Sequence, residues 1–468
     1  MMVPPVRSGP GGFDRLARNS VVGGPAGSSP LDHGMHVAFG VRVVVDLMTP
    51  DRWLGVSCPS PDPATVPLLR GLVGDVPDGG PAVVPPAGDT AGGAPWLRVA
   101  VVEALDRWLH TPLLQCLLDA ERGVARGRAA RTLPPGPVRA VLTGEALGSA
   151  RRSSRDLVKF LRRLGRGSRP VPAGLVCAVN TLVDGYAELI EDVAGPDREL
   201  GAVIDAGRRL VRRLGGAEPT AEATLPAVPG PSRLRRLDHA VHLIDPRQVR
   251  ARVLALSADP AVPEVEVSPA PAPGAAVVRV RTFGPTVDPD TVARLLVRLV
   301  DRRSGEARGH ALLRAGEEDA SCLAATVPLY GRDVRDVRAD VADALSDLAP
   351  AADDADEGLC EARRAVVFLA EWRRLAGLAQ LGAASAPARQ LRRLAGLLQP
   401  GRARSDLPLF IGGPSSAELE ALADLGDDGL SACLKGEGPI GAGLRAMTAG
   451  SAALLVAEVA ALFATSAT

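Results

Sequence analysis

Two periodicities divide the chain. Between Trp96 and Gly216 apolar residues return every three or four positions, and beyond about Leu237 they alternate with polar ones. The first spacing keeps one face of a helix apolar, and the second keeps one face of a strand apolar. WLRVAVVEALDRWLHTPLLQCLLDAERG predicts one bent helix or two, with Pro112 near the break because a proline ring cannot continue the hydrogen-bond ladder. VPAGLVCAVNTLVDGYAELIEDV and ELGAVIDAGRRLVRRLGG predict two more, the latter closing on a Gly-Gly C-cap. Ahead of them, the β-branched run VAFGVRVVVDL from Val37 reads as a single strand.

In the alternating region, PEVEVSP sets Val265 and Val267 against Glu264 and Glu266, and VVRVRTF sets Val278 and Val280 against Arg279 and Arg281. LLVRLVDRRSGEARGHALL reads as two strands about a turn at Ser304-Gly305, and SCLAATVPLYG and VRADVADALSDLAP continue the pattern. Five or six short strands here imply an antiparallel sandwich or open barrel. The competing reading makes VDPDTVARLLVRLV a helix and the region a small α+β domain.

The expected fold class is therefore α+β and multidomain: a helical N-terminal unit, a central antiparallel β-rich, sandwich-like domain and a helical C-terminal unit. Its segments are a Gly/Pro/Ser-rich disordered leader (1–34), a mainly helical domain with an initial strand (35–216) and a Pro-rich linker (217–232). The β-rich domain (233–350), amphipathic helices (351–404) and an acidic helical C-terminal segment (405–468) follow.

Charge changes this picture locally. The 54 basic side chains equal the 54 acidic ones, so the whole molecule carries no net pull toward nucleic acid or membrane. RRSSRDLVKFLRRLGRGSRP nevertheless concentrates positive charge. Ser153 and Asp156 match a capping box, and Leu157, Phe160, Leu161 and Leu164 form an apolar face. Arg151, Arg152, Arg155, Lys159, Arg162, Arg163, Arg166 and Arg169 make the candidate binding patch. Its charge would suffice for phosphate contacts, but no Asn, Gln or aromatic platform accompanies it, so base recognition is not expected. Non-specific nucleic-acid binding is thus not favoured, and neither is a membrane surface. The acidic counterpart within the chain is Ser405–Thr468, with eight acidic and two basic side chains. Deleting it is expected to change assembly or solubility.

Candidate chemistry is sparse. The six cysteines are dispersed and there is no apolar signal-peptide core, which suits buried thiols in a reducing cytoplasm. His239 and His242 are weak metal candidates at i,i+3, without a third ligand nearby. Gly436, Gly438 and Gly441 make a formal GxGxxG, but too little chain follows for a dinucleotide-binding unit, so a turn into a helix is expected. Serines show no nucleophile elbow, and no cofactor is expected. The apolar C-terminal helix is expected to pack against protein, since only Ala446–Ala457 is free of charge.

Around Arg169-Pro170, Pro172 and Gly174-Leu175, RDLVKFLRRLGRGSRPVPAGLVCAV resembles a segment of the lantibiotic dehydratases. The resemblance implies glutamyl-tRNA-dependent modification of a peptide. Ala173 stands where that family has an aromatic residue, and the chain beyond it reads helical where the family turns to strands. The leading expectation is a non-enzymatic cytoplasmic scaffold or regulatory protein, acting through a protein partner or self-association. An enzyme with a dispersed, peptide-modifying active site comes second, and a non-specific nucleic-acid binder third.

Overall fold

The computed structural model describes four strands within 32–84, then 93–108, 113–167, 171–192, 196–214, 264–282, 289–315, 322–344, parts of 369–377, 425–446 and 453–465, with isolated residues between them. Residues 1–31 of the expected leader and the linker 217–232 lie outside the described residues, as do most of 351–404 and the residues Arg169, His239 and His242, whereas residues 32–34 of the expected leader belong to a strand. The chain is mixed α+β, with helices and antiparallel sheets.

The first sheet contains β1 (Asp32–Ala38), β2 (Val41–Asp46), β3 (Gly55–Cys58) and β4 (Ala82–Val84), each antiparallel to the next. VAFGVRVVVDL is therefore not one strand. Ala38 pairs with Val41, so a hairpin turns inside the run, where Gly40 interrupts the β-branched residues.

Five helices follow: α1 (Gly93–Trp108), α2 (Gln115–Arg131), α3 (Pro137–Arg166), α4 (Ala173–Glu191) and α5 (Arg198–Leu214). The stretch around Pro112 is thus two helices rather than one bent one. The capping box at Ser153 is a misreading, because α3 starts 16 residues earlier, behind Gly136 and a proline at its first helical position. Ser153 sits mid-helix and buried. Its hydroxyl bonds back to Ala150 O at 2.9 Å and lies 3.0 Å from the Tyr186 hydroxyl of α4. A short hydroxyl can satisfy itself on its own helix, so the sequence pattern of a cap also occurs in helix interiors.

Helix α2 packs on α3 and α4, while α5 packs on α3 and α4. Two glycines set the spacing. A Cβ at Gly185 would lie 2.3 Å from Val124 Cγ1, and one at Gly207 would lie 2.1 Å from Val183 Cγ2. Only glycine allows α4 to approach α2, and α5 to approach α4, so closely.

The strands from residue 265 to residue 343 form a second compact unit. One sheet has the order β5 (Val265–Pro269), β6 (Ala275–Arg281), β10 (Cys322–Pro328), β9 (Arg314–Ala315), and the other β11 (Val337–Asp343), β7 (Leu295–Asp301), β8 (Ala307–Leu312). In β6 the expected alternation holds, with Val278 and Val280 buried and Arg279 and Arg281 exposed, whereas Glu264, expected on the polar side with Glu266, is buried and accepts the Ile244 amide at 2.7 Å. Val278, Val280 and Val327 from the first sheet share one apolar cluster with Val297, Leu299 and Val341 from the second. The competing helix shrinks to one turn, α6 (Pro289–Val292), ahead of β7. The β7–β8 turn has Gly305 at φ +69°, a left-handed value, and Asp301 closes it by accepting the Arg303 and Ser304 amides at 2.9 and 3.1 Å.

At the C-terminal end are α7 (Asp427–Leu434), α8 (Gly438–Ala446) and α9 (Val456–Thr465). Helix α9 packs on α2 and α4, so the end of the chain completes the helical unit begun more than 300 residues earlier.

Candidate functional site

The basic stretch of the sequence separates into two physically different sets. The arginines of α2 are spent inside the fold. Arg128 makes a two-pronged pair with Glu188 of α4, at 2.8 and 2.7 Å, and Arg131 holds Asp192 at 2.9 Å. Arg126 joins Glu103 of α1 at 2.7 Å, and Arg122 joins Asp119 at 2.6 Å. The fork of Arg128 holds the Glu188 carboxyl below its usual range.

The second half of α3 behaves otherwise. Arg151, Arg152, Arg155, Lys159, Arg162, Arg163 and Arg166 are all exposed. Arg151 bonds Asp197 at 2.8 Å and Lys159 bonds Asp156 at 2.7 Å, but the other five form no ion pair among the described residues. Lys159 holds Asp156 below its ordinary value. Burial pushes the Asp197 carboxyl up, yet the Leu200 amide and Arg151 outweigh it and leave it below its usual range.

The apolar face is as expected, with Leu157 and Leu161 buried and Phe160 and Leu164 partly so. The expected binding patch leaves out the arginines of α5, although Arg208, Arg209, Arg212 and Arg213 are also exposed and also form no ion pair among the described residues. The signal RRLVRR was visible in the sequence. What was missing was its neighbourhood with α3.

The acidic C-terminal segment does not neutralise this patch among the described residues. Its Glu458 instead meets a buried arginine, Arg373, at 2.7 and 2.6 Å. Arg373 also reaches Ala453 O at 3.1 Å. Next to it, Arg98 of α1 bonds Glu121 of α2 at 3.1 Å, Leu454 O at 3.2 Å and Ala453 O. Glu121 is 5% exposed and accepts the Val456 and Ala457 amides at 2.9 and 3.3 Å, capping α9 from another helix. Burial raises its carboxyl to about 6, against the pull of Arg98 and the two amides. This quartet anchors the end of the chain in the helical unit.

The GxGxxG glycines form the α7–α8 turn rather than a strand-to-helix phosphate loop. Gly436 and Gly438 have left-handed φ of +92° and +70°, and Arg445 donates to Gly436 O across the turn. A Cβ at Gly441 would fall 2.4 Å from the Gly436 carbonyl carbon. The turn is filled by its own chain. Among the described residues no three His, Cys, Asp or Glu side chains gather as a metal site, and Cys116, Cys177, Cys322 and Cys433 are free thiols. Burial raises the thiols of Cys116 and Cys433, which disfavours the nucleophilic thiolate.

Helix α4 alone among the described residues is long and apolar enough to cross a membrane, and its outer side carries Cys177, Asn180, Thr181 and Asp184. It starts at Ala173, within the segment that resembles the lantibiotic dehydratases, where that family has strands. Comparison of the chain with known protein families, curated proteins and solved structures gave no match.

Proposed function

We propose that the protein is a non-enzymatic, cytoplasmic scaffold or regulatory protein, comprising a sandwich-like β-rich domain and a helical one, which docks an acidic partner protein on the basic face of α3. The observation that carries this reading is the row of exposed arginines in the second half of α3, five of which, Arg152, Arg155, Arg162, Arg163 and Arg166, form no ion pair among the described residues. Arg163 and Arg166 lie in the last turn, where the helix dipole favours cations, but Arg152, Arg155 and Arg162 lie outside it. Like charges four residues apart, as at Arg155–Lys159 and Arg162–Arg166, destabilise a helix by ~0.2–0.5 kcal/mol per pair. A surface that opposes its own helix gains from an anionic partner.

The same chain's α2 arginines, all matched to carboxylates, show the alternative that purely structural cations adopt. The test is a binding titration against a short fluorescent peptide of alternating Glu and Ser, with Arg155→Glu/Arg162→Glu/Arg166→Glu as comparison. Salt-sensitive binding that the triple variant loses supports the reading. Equal binding by the variant, or no binding by either, overturns it.

A further inference from the structure

We infer that the docking surface is a two-helix one, shared between α3 and α5, and that it takes an acidic segment of a partner protein laid across the C-terminal ends of both helices. This rests on the proposed docking role of α3 and adds its second half and the shape of its ligand.

The register of the two helices carries the argument. Asp197, just before α5, pairs with Arg151 at 2.8 Å. A Cβ on Gly165 would lie 3.4 Å from Leu210 Cδ1. From Arg151 to Gly165 α3 rises about 21 Å, and from Asp197 to Leu210 α5 rises about 20 Å. The helices therefore run parallel and in step, with their last turns side by side. Residues 162–166 of α3 come level with residues 208–213 of α5, and these two short stretches hold seven arginines and no acidic residue.

All seven are exposed, and none forms an ion pair among the described residues. They fall within roughly 8 Å along the axes of helices spaced about 10 Å apart. The α5 arginines repeat the spacing of α3, with like charges four residues apart at Arg208–Arg212 and Arg209–Arg213. Gly207, set against Val183, fixes which side of α5 is buried, so Arg209 and Arg213 fall on the side away from α4.

The chemistry favours carboxylates on a peptide. Guanidinium groups pair with carboxylates in two-pronged fashion, and several in one compact area suit a short run of Asp and Glu. A duplex would spread its phosphates along an extended track, and phosphate sites built from helices use N-terminal amides, whereas this surface lies at C-terminal ends. No Asn, Gln or aromatic side chain stands among the seven to read a base.

The experiment measures the full-length chain against three probes at fixed salt: the Glu/Ser peptide, a short DNA duplex, and phosphatidylserine vesicles. Three proteins are compared: wild type, the α3 triple reversal, and Arg209→Glu/Arg213→Glu on α5. The α5 variant is expected to weaken peptide binding at least about tenfold, with its circular dichroism melt retained. If it binds the peptide like wild type while the α3 variant does not, the two-helix surface is overturned and the α3 reading stands. If no form binds the peptide, both fail. Tighter binding of duplex or vesicle than of peptide overturns the assignment to a protein partner. Should the α5 double reversal unfold, Arg209→Gln/Arg213→Gln serves in its place, and unchanged peptide affinity there overturns the proposal.

Discussion

Buried Glu121 shows how much a single side chain does here. It caps a helix far away in sequence and neutralises Arg98, so its removal leaves the half-buried guanidinium without its counter-charge and two amides without their acceptor. Glu121→Ala is expected to cost about 3–5 kcal/mol in urea unfolding. Its pH signature has a definite sign. Because its folded pKa is raised to about 6 from 4.5, the folded state holds this proton more tightly. Its contribution is favourable below about 4.5 and is lost as pH rises through 6.

Glu188 and Asp197, held below their usual values, work in the opposite sense, their stabilisation being present at neutral pH and lost on acidification. Subtracting the stability of Glu121→Gln from that of wild type isolates the first effect. The difference should shrink by about 1–2 kcal/mol between pH 4.5 and pH 6.5. A difference that grows over this range would contradict the assignment. None of this could be read from the sequence, because Glu121 and Arg98 look like ordinary members of polar helix faces until α9 covers them.

At the scale of elements, apolar spacing located the helices and strands well but not their ends. The three- and four-residue steps around Leu157, Val179 and Val203 gave α3, α4 and α5, and the alternation around Val278 gave β6. The start of α3 was missed because Ser153 resembles a cap, whereas the true start uses Pro137, which supplies no side-chain bond. The hairpin was missed because its first arm, Asp32–Ala38, has one β-branched residue, Val37, and lies mostly ahead of the run VAFGVRVVVDL, so the sequence signal marks only the second arm. Close packing gives a sharp test: Gly185→Leu must displace Val124 and should lower stability by about 1–3 kcal/mol or more in thermal melts. By contrast, Arg162→Glu places an opposite charge four residues from Arg166. It is expected to raise stability by a few tenths of a kcal/mol while weakening peptide binding. A variant that loses both would show that Arg162 is structural.

For the whole molecule, the acidic tail takes on a different part from the one its charge suggested. It was expected to face the basic patch. Its described helix α9 instead packs on α2 and α4, and its Glu458 is engaged by Arg373. Truncation before Ser405 is therefore expected to destabilise the helical unit itself, by uncovering Glu121 and the α2–α4 face, rather than merely altering solubility. Hydrogen exchange should show α2 and α4 losing protection, and full protection in the truncated chain would sink this view.

Sequence alone determined the periodic elements, the mixed class and the concentration of arginines, because these depend on spacing within a dozen or so neighbours. Tertiary structure decided which arginines are neutralised, which helix stands beside α3, and what the last helix covers. Those outcomes depend on pairings across tens to hundreds of residues, such as Arg128 with Glu188 and Glu121 with Val456, and local periodicity carries no information about them.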